Sequence, residues 1–404
     1  MKTLLQINIV VNYSSTGCIA ENIGKTVMAK GWKSYIAYGR NDHPSQSELI
    51  KIGNDLDVKF HVLQTRLFDR QGLGSKHSTL ELVKLIIEIK PDVIHLHNLH
   101  GYYTNIEILF KYLAIANIPV VLTLHDCWAF TGHCCHFSYI GCDKWKTQCR
   151  DCPQKKEYPA SYGLDRSKKN YLLKKELFTA IKRMTIVPVS QWISDIVSQS
   201  FLNRYPVHII KNGIDTNVFK PGGNIKIKER YKVKGRFIIL GVANAWSPRK
   251  GLPDFIELSR IIDKNSVIIL IGLSLKQTKD VPQNIIGICH TDSKEELAKL
   301  YSIADVYINT SGEETFGLTT VEALSCGTPA VVYNATACPE VITSETGFIV
   351  EKGDFEGLLN AIKTVREKGK EQYSNACRER ATKLYDSNDR YLDYLNLYES
   401  MLAL

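Results

Sequence analysis

The chain has 404 residues, 44% hydrophobic and 23% charged, which exceeds what one core usually serves, so two domains are expected. Its net charge of +9 suits an anionic nucleotide, a nucleic acid or an anionic membrane face. No apolar window reaches membrane-spanning length, and the opening MKTLLQINIVVNYSSTG, interrupted by Gln6 and Asn8, reads as a first strand rather than a signal peptide.

Short apolar, β-branched runs then alternate with amphipathic stretches. LLQINIVV from Leu4, SYIAY from Ser34, DVIHLH from Asp92, PVVLTLH from Pro119 and TIVPVS from Thr185 are the expected strands of a parallel sheet covered on both faces. After the first strand, STGCIAENIG opens a helix, and Thr16 and Gly17 are expected in the loop before it, facing a phosphate. His95 and His97 share one strand face and read as core or wall. His100 and His125 lie at strand ends, where catalytic groups of such sheets gather.

The segment HDCWAFTGHCCHFSYIGCDKWKTQCRDCPQ follows from His125. Cys149-x2-Cys152 has metal-ligand spacing, and with Cys142 and Cys134 it makes a closed four-sulfur zinc site, with Cys135, His133 or His136 as alternative ligands. Such a site pins a loop and activates no water. The plain alternative is a cysteine-rich insertion without metal. The eleven cysteines, several isolated among apolar residues such as Cys289, Cys326 and Cys338, suit a reducing, cytoplasmic setting. Downstream, DRSKKNYLLKKELFTAIKR from Asp165 is basic and amphipathic, fitting either a core helix or peripheral contact with the inner face of a membrane.

After KNGIDTNVFKPGGNIKIK the pattern restarts with RFIILGVAN from Arg236, SVIILIG from Ser266, NIIGICH from Asn284, DVYINTS from Asp305 and PAVVYNA from Pro329. The expected fold is therefore α/β, with two doubly wound, Rossmann-like domains over 1–206 and 207–384 that face each other across a ligand-binding cleft. The cysteine-rich insertion occupies about 127–153, and a C-terminal helix over 385–404 crosses back to the first domain. In that helix Tyr391, Tyr394, Leu395 and Tyr398 form an aromatic stripe that needs covering.

The stretch SGEETFGLTTVEALSCGTPAVV, from Ser311, sets Glu314 in a loop and Glu322 one turn into the following helix. A helix start after glycine offers free N–H groups and a positive dipole end to a phosphate. Gly317 lets a ligand approach the backbone, and Glu322 can accept bonds from two neighbouring hydroxyls, as on a ribose. The arrangement suits a nucleoside diphosphate sugar. Two solvated glutamates at a helix start are the plain alternative.

From Glu314 to Pro329 the chain resembles the E-x7-E signature of retaining glycosyltransferases of family 4, which have the GT-B fold. ELAKLYSIADVYINTS, RKGLPDFIEL and IKNGIDTNVFKP resemble further segments of that family, and the cysteine-rich stretch resembles an insertion in its bacterial surface-polysaccharide branch. The resemblance implies that Glu322 binds the donor ribose. It implies that Glu314 contacts the donor sugar, and that Phe316, Gly317 and Leu318 present backbone to sugar and phosphate. Lys250 would meet the diphosphate. The family's usual arginine is replaced here by Asn244 and Ala245, leaving Arg249 as the substitute. His290 falls near the nucleobase, His125 near the reacting sugar, and His100 on the acceptor side.

The function implied is transfer of a sugar, with retention, from a UDP- or GDP-linked donor to a hydroxyl of a lipid-linked glycan, without a catalytic metal. A nucleotide-sugar epimerase or a phosphorylase would share fold and cleft. A zinc-containing nucleic-acid-binding protein is disfavoured because the chain lacks the clustered basic and aromatic strips such a reader needs.

Overall fold

A computed structural model describes residues 1–222 and 225–403. It resolves into two compact units, one of Met1–Lys211 with Arg390–Leu404 and one of Asn212–Asp389.

The strands of the first unit are β1 (Thr3–Asn8), β2 (Lys33–Tyr38), β3 (Glu48–Lys51), β4 (Val93–Leu96), β5 (Val120–Leu124) and β6 (Met184–Pro188). They form one sheet in the order β3-β2-β1-β4-β5-β6, parallel throughout. The second unit has β7 (Phe237–Val242), β8 (Ser266–Ile271), β9 (Ile285–Ile288), β10 (Val306–Asn309), β11 (Ala330–Tyr333) and β12 (Gly347–Val350). Its order, β12-β11-β10-β7-β8-β9, repeats the first topology, and it too is parallel. The strand order reverses between β1 and β4 and between β7 and β10. Those switch points are where a doubly wound sheet opens a crevice at its strand ends.

Each sheet has six strands, one more than the apolar runs predict. The additions, β3 and β12, are edge strands. β3 is exposed or half-exposed along its whole length, so it carries no continuous apolar run. The strands β1, β4, β5 and the edge strand β6 are buried at every residue, which is why they read so clearly.

The division between the units falls later than the expected 206 and 384. Backbone N–H groups of His208 and Ile210 donate to Ile186 (3.0 Å) and Pro188 (3.2 Å), extending the first unit along β6. Ile214 donates to Tyr385 at 2.9 Å and Ser387 to Ile214 at 2.9 Å, which keeps the chain up to Asp389 in the second unit. Only from Arg390 does the Ser387–Ala403 helix belong to the first unit. There Tyr391, Tyr394, Leu395 and Tyr398 are buried with Trp32, Val93 and Val121, and the Tyr398 hydroxyl bonds His95 Nδ1 at 2.6 Å.

The basic Ser167–Thr179 helix is a core element. Tyr171, Lys174, Leu177 and Phe178 are buried, and Phe178 stacks on Phe110 with centroids 4.1 Å apart. Its Tyr171, Leu177 and Phe178 side is covered by the core, while Leu172 stays exposed.

Candidate active site

In the second unit the loops after β7 and β10, at the switch point, carry the expected donor residues. Arg249 and Lys250 end a 3-10 turn (Pro248–Lys250), and Gly251 follows at φ +78°, packed so closely on Thr310 that a side chain would collide. Arg249 Nη1 donates to the Glu313 carbonyl at 2.7 Å, and Gly312 N–H returns a bond to Arg249 O at 2.8 Å. The two loops are thus stitched together. Lys250 Nζ forms an ion pair with Glu314, whose Oε1 also accepts from Ser311 Oγ at 2.9 Å. Burial alone would raise the Glu314 pKa, but the Lys250 charge and hydrogen bond outweigh it and hold the carboxyl below its ordinary range. Thr336 locks the Glu314 backbone from both sides, accepting its N–H at 2.8 Å and donating to its carbonyl at 2.9 Å.

The Leu318–Ser325 helix starts at Gly317, φ +93°, with no side chain capping it. A Cβ there would meet Thr320 and Val341 at ordinary contact distances of 3.6–4.0 Å, so the glycine serves the backbone angle. Its first N–H groups remain available to an anion. The Tyr307 hydroxyl of β10 holds Thr319 at 2.8 Å, and Asn309 holds Thr320 at 3.2 Å, fixing the first turn to the sheet. Phe316 turns its ring inward onto Tyr385, centroids 5.7 Å apart. Glu322 accepts from the Tyr301 hydroxyl at 2.9 Å. Burial pushes its pKa up to about 7, only partly opposed by that bond. His290 lies exposed just beyond the edge strand β9.

In the first unit, polar rings gather beyond β4 and β5. His97 Nε2 meets Gln6 Oε1 and His97 Nδ1 meets His125 Nε2, both at 3.1 Å. The protons can be assigned by accounting. Gln6 Nε2 donates to Ala20 O at 2.8 Å, so its Oε1 is the acceptor and His97 Nε2 carries a hydrogen. Burial keeps His97 neutral, leaving Nδ1 bare to accept from His125 Nε2–H. Burial also lowers the His125 pKa to about 4, so at neutral pH its Nδ1 is a lone-pair acceptor. His97, assigned by its sequence context to the wall, therefore fixes the tautomer of His125. His95 is a wall residue, bonded to Thr123 (2.7 Å) and Tyr398.

His100 Nε2 donates to Asp126 Oδ2 at 2.7 Å, and its Nδ1 lies 3.2 Å from the Tyr158 hydroxyl. Asp126 is buried, which by itself would raise its pKa. His100 and the Trp128 N–H, 2.9 Å from Oδ1, outweigh this and hold it at about 2. His97, His100 and His125 line one cavity with Asp126 and Trp128. Gly17 sits within the Ser14–Met28 helix, not in a loop before it. The helix starts at Ser14, directly after Tyr13, and a Gly17 Cβ would lie 3.0 Å from Val10 Cγ2 and 3.1 Å from Asn12 N. Close approach of the chain at Val10 and Asn12 calls for a glycine at this first-turn position.

Tyr301, Thr336, Gln6, Asp126 and Tyr158 are the members of these networks that the motifs did not supply. Only Asp126 had a signal, as the neighbour of His125.

Cys134, Cys142, Cys149 and Cys152 line a second cavity of the first unit together with His133. The Cys134 thiol donates to Cys152, holding the latter at about pKa 7. His133 bonds Asp69 Oδ1 at 2.7 Å through Nδ1, while its buried Nε2 has no partner. Lys174 is wholly buried, 3.4 Å above the Trp128 ring, with Nζ 2.7 Å from Trp128 O. Cysteine sulfurs and an imidazole are zinc-ligand types, and the buried Lys174 cation stands near Cys134 and Cys149, where it would offset thiolate charge. Among the described residues, the donor trio drawn within 4.8 Å is a different one, His100, Asp126 and Cys135, in which His100 already bonds Asp126.

Comparison with known proteins decides the family. Residues 19–218 match the family described as Glycosyltransferase Family 4, and residues 224–384 match Glycosyl transferases group 1. The chain belongs to the family 4 glycosyltransferases. The Escherichia coli K12 protein named as a colanic acid biosynthesis glycosyl transferase, WcaC, is 22% identical over 98% of this chain and 100% of its own. An Escherichia coli UDP-Gal:alpha-D-GlcNAc-diphosphoundecaprenol alpha-1,3-galactosyltransferase is 23% identical over 51% of this chain and 57% of its own. Sucrose-phosphate synthase from Thermosynechococcus elongatus superposes with a TM-score of 0.74 at 16% identity, covering 100% of both chains. Anabaena HepE, solved in complex with UDP-glucose, gives 0.70 at 17% identity over 99% of this glycosyltransferase and 100% of its own chain. The fold is GT-B.

Proposed function

We propose that this glycosyltransferase moves a sugar, with retention of configuration, from a UDP- or GDP-linked donor to a hydroxyl of a lipid-linked glycan during synthesis of a bacterial surface polysaccharide. The observation that carries the reading is the switch point of the second unit, where Lys250 pairs with Glu314 ahead of an uncapped helix start and Glu322 lies one turn into that helix. Lys250 and the N–H groups from Gly317 onward would take the diphosphate, so that negative charge on the leaving group is met by groups already in place. Glu322 accepts the ribose hydroxyls. Glu314, tied down by Lys250, Ser311 and Thr336, receives sugar hydroxyls and is not assigned as a nucleophile. His125, with its bare Nδ1, accepts a hydroxyl of the transferred sugar, and the His100–Asp126 pair serves the acceptor. The polysaccharide setting and lipid-linked acceptor draw support from the names of the two Escherichia coli relatives, and the nucleotide donor from the HepE complex.

The test is calorimetry with UDP- and GDP-sugars, followed by an assay for nucleotide diphosphate release with and without a diphosphoundecaprenol-linked sugar. Release that needs the acceptor supports transfer. Acceptor-independent conversion of the donor would point to the epimerase or phosphorylase reading.

The reading includes a structural zinc held by Cys134, Cys142, Cys149 and Cys152. His133 and Lys174 stand beside the thiolates, where they would offset their charge. Purified protein is expected to carry about one zinc per chain, and Cys149→Ser with Cys152→Ser to carry none. A metal-free wild type with freely reacting thiols would rule the site out.

A further inference from the structure

Beyond the ends of β2 and β4 the backbone of the first unit is held to one shape. Gly39 and Arg40, directly after β2, both donate their N–H to Ile9 O, at 3.1 and 3.0 Å. A side chain at Gly39 would overlap Tyr103, and one at Gly101, φ +112°, would overlap Ile9. Tyr102 follows at φ +70°, a left-handed angle that a bulky side chain rarely adopts. Such an outlier persists only where its surroundings dictate it, and it is a reason to look for a use. Here it sets the Tyr102 ring between His61 (centroids 5.9 Å) and Tyr158 (6.1 Å). Tyr158 stands edge-on to His100 at 5.5 Å, with its hydroxyl 3.2 Å from His100 Nδ1, yet it is 45% exposed. An exposed aromatic face beside the acceptor-side histidine is a surface on which a sugar ring can lie.

Arg40 supplies charge to that wall. It is half-buried, and its positive charge acts on both Tyr102 and Tyr158, opposing the burial that raises their pKa values. Arg183 and Arg204 of the same unit each donate to a backbone carbonyl. The Arg40 guanidinium, among the described residues, makes no hydrogen bond or ion pair. The carboxylate that acts on Tyr158 is Asp126, and both its oxygens already accept, Oδ2 from His100 and Oδ1 from the Trp128 N–H. A guanidinium partly withdrawn from water and left unmatched suits an oxyanion that it can hold with two parallel bonds.

We propose that Arg40, Tyr158 and His100 form an acceptor subsite selective for a sugar that carries an oxyanion. The sugar ring lies against Tyr158 beside His100, and the guanidinium takes the charge. That oxyanion is either the phosphate joining the sugar to its lipid or a carboxylate on the sugar itself. The proposal deepens the glycan-acceptor reading above and rests on it.

The experiment is calorimetry on the full chain in phosphate-free buffer, with the donor site filled by UDP or GDP. The probes are the 1-phosphates and neutral methyl glycosides of glucose, galactose and N-acetylglucosamine, with methyl glucuronide as the carboxylate. Wild type is expected to bind at least one charged probe roughly tenfold to a hundredfold more tightly than its neutral counterpart. Arg40→Gln should erase that preference without changing affinity for the neutral glycoside or for UDP and GDP, and Arg40→Lys should restore part of it. Tyr158→Ala should weaken charged and neutral probes alike. Preference for a 1-phosphate would assign the lipid-joining phosphate, and preference for the glucuronide an acidic glycan. A wild type without preference in any pair, or a preference that survives Arg40→Gln in a variant folded by circular dichroism, would overturn the proposal. An Arg40-dependent preference in a protein that binds no nucleotide sugar would sustain the subsite while removing the transferase reading. Acceptor-dependent transfer with no such preference would do the reverse.

Discussion

The two units share a strand order but arm their strand ends differently. Beyond β4 and β5 of the first unit, His97 and His125 are neutral rings whose hydrogens are fixed by a chain from Gln6. Beyond β7 and β10 of the second unit the groups are charged or nearly so, with Glu314 held ionised by Lys250 and Glu322 poised near neutrality by burial. A diphosphate needs full charges and a helix dipole, whereas a hydroxyl at a reacting sugar needs an aimed lone pair. One topology meets both needs by changing only its loops.

The largest expected effect breaks the first unit's side of this comparison. His125→Ala should lower turnover by roughly two to three orders of magnitude with little change in nucleotide diphosphate affinity, as for an interaction expressed mainly in the transition state. His97→Phe should repeat the defect more weakly, because His125 stays but its ring loses the acceptor that sets its tautomer. Turnover near wild type for both would make this a structural wall and shift attention to His100.

The second unit breaks through Lys250. Lys250→Met removes the diphosphate's cation and leaves Glu314 without its ion-pair partner. Nucleotide diphosphate binding should weaken by about 2–3 kcal/mol, while UMP or GMP, with one phosphate fewer, should lose less. Equal losses for both nucleotides, or none, would take Lys250 off the diphosphate.

Legibility in the sequence followed burial and locality. The central strands and the Glu314–Glu322 segment were readable because each is a contiguous run with its own period. The edge strand β3 was not, because an exposed strand needs no apolar run, and β12, with only four residues, is too short to stand out. The partners of the site residues were hidden for another reason. Tyr301 lies 21 residues from Glu322, Thr336 lies 22 from Glu314, and Gln6 lies 91 from His97, and only the fold brings them together. Helix patterning left one choice open. A stripe of apolar residues looks the same whether it faces the core, as at Leu177 and Phe178, or solvent, as at Phe60 and Leu67.

The smallest effect is the most specific, because it reads the protonation of one carboxyl. Glu322 keeps its proton up to about pH 7 in the folded chain, against an ordinary 4.5. Ribose hydroxyls bond best to the ionised form, so wild-type affinity for a nucleoside diphosphate sugar, whose phosphates do not titrate in this range, should tighten as pH rises from about 6 to about 8. Glu322→Gln should bind about 1–3 kcal/mol more weakly at the upper end and lose the pH dependence. Stability without ligand should run the opposite way. Between about 4.5 and 7 the folded state binds more protons at this site than the unfolded chain does. Stability therefore falls as pH rises through that window, by at most about 3 kcal/mol, and levels off above it. Urea unfolding of wild type and Glu322→Gln at several pH values isolates that slope. A wild type whose affinity and stability were both flat across the window would show that Glu322 is already ionised, and its place at the ribose would then have to stand on the Tyr301 geometry alone.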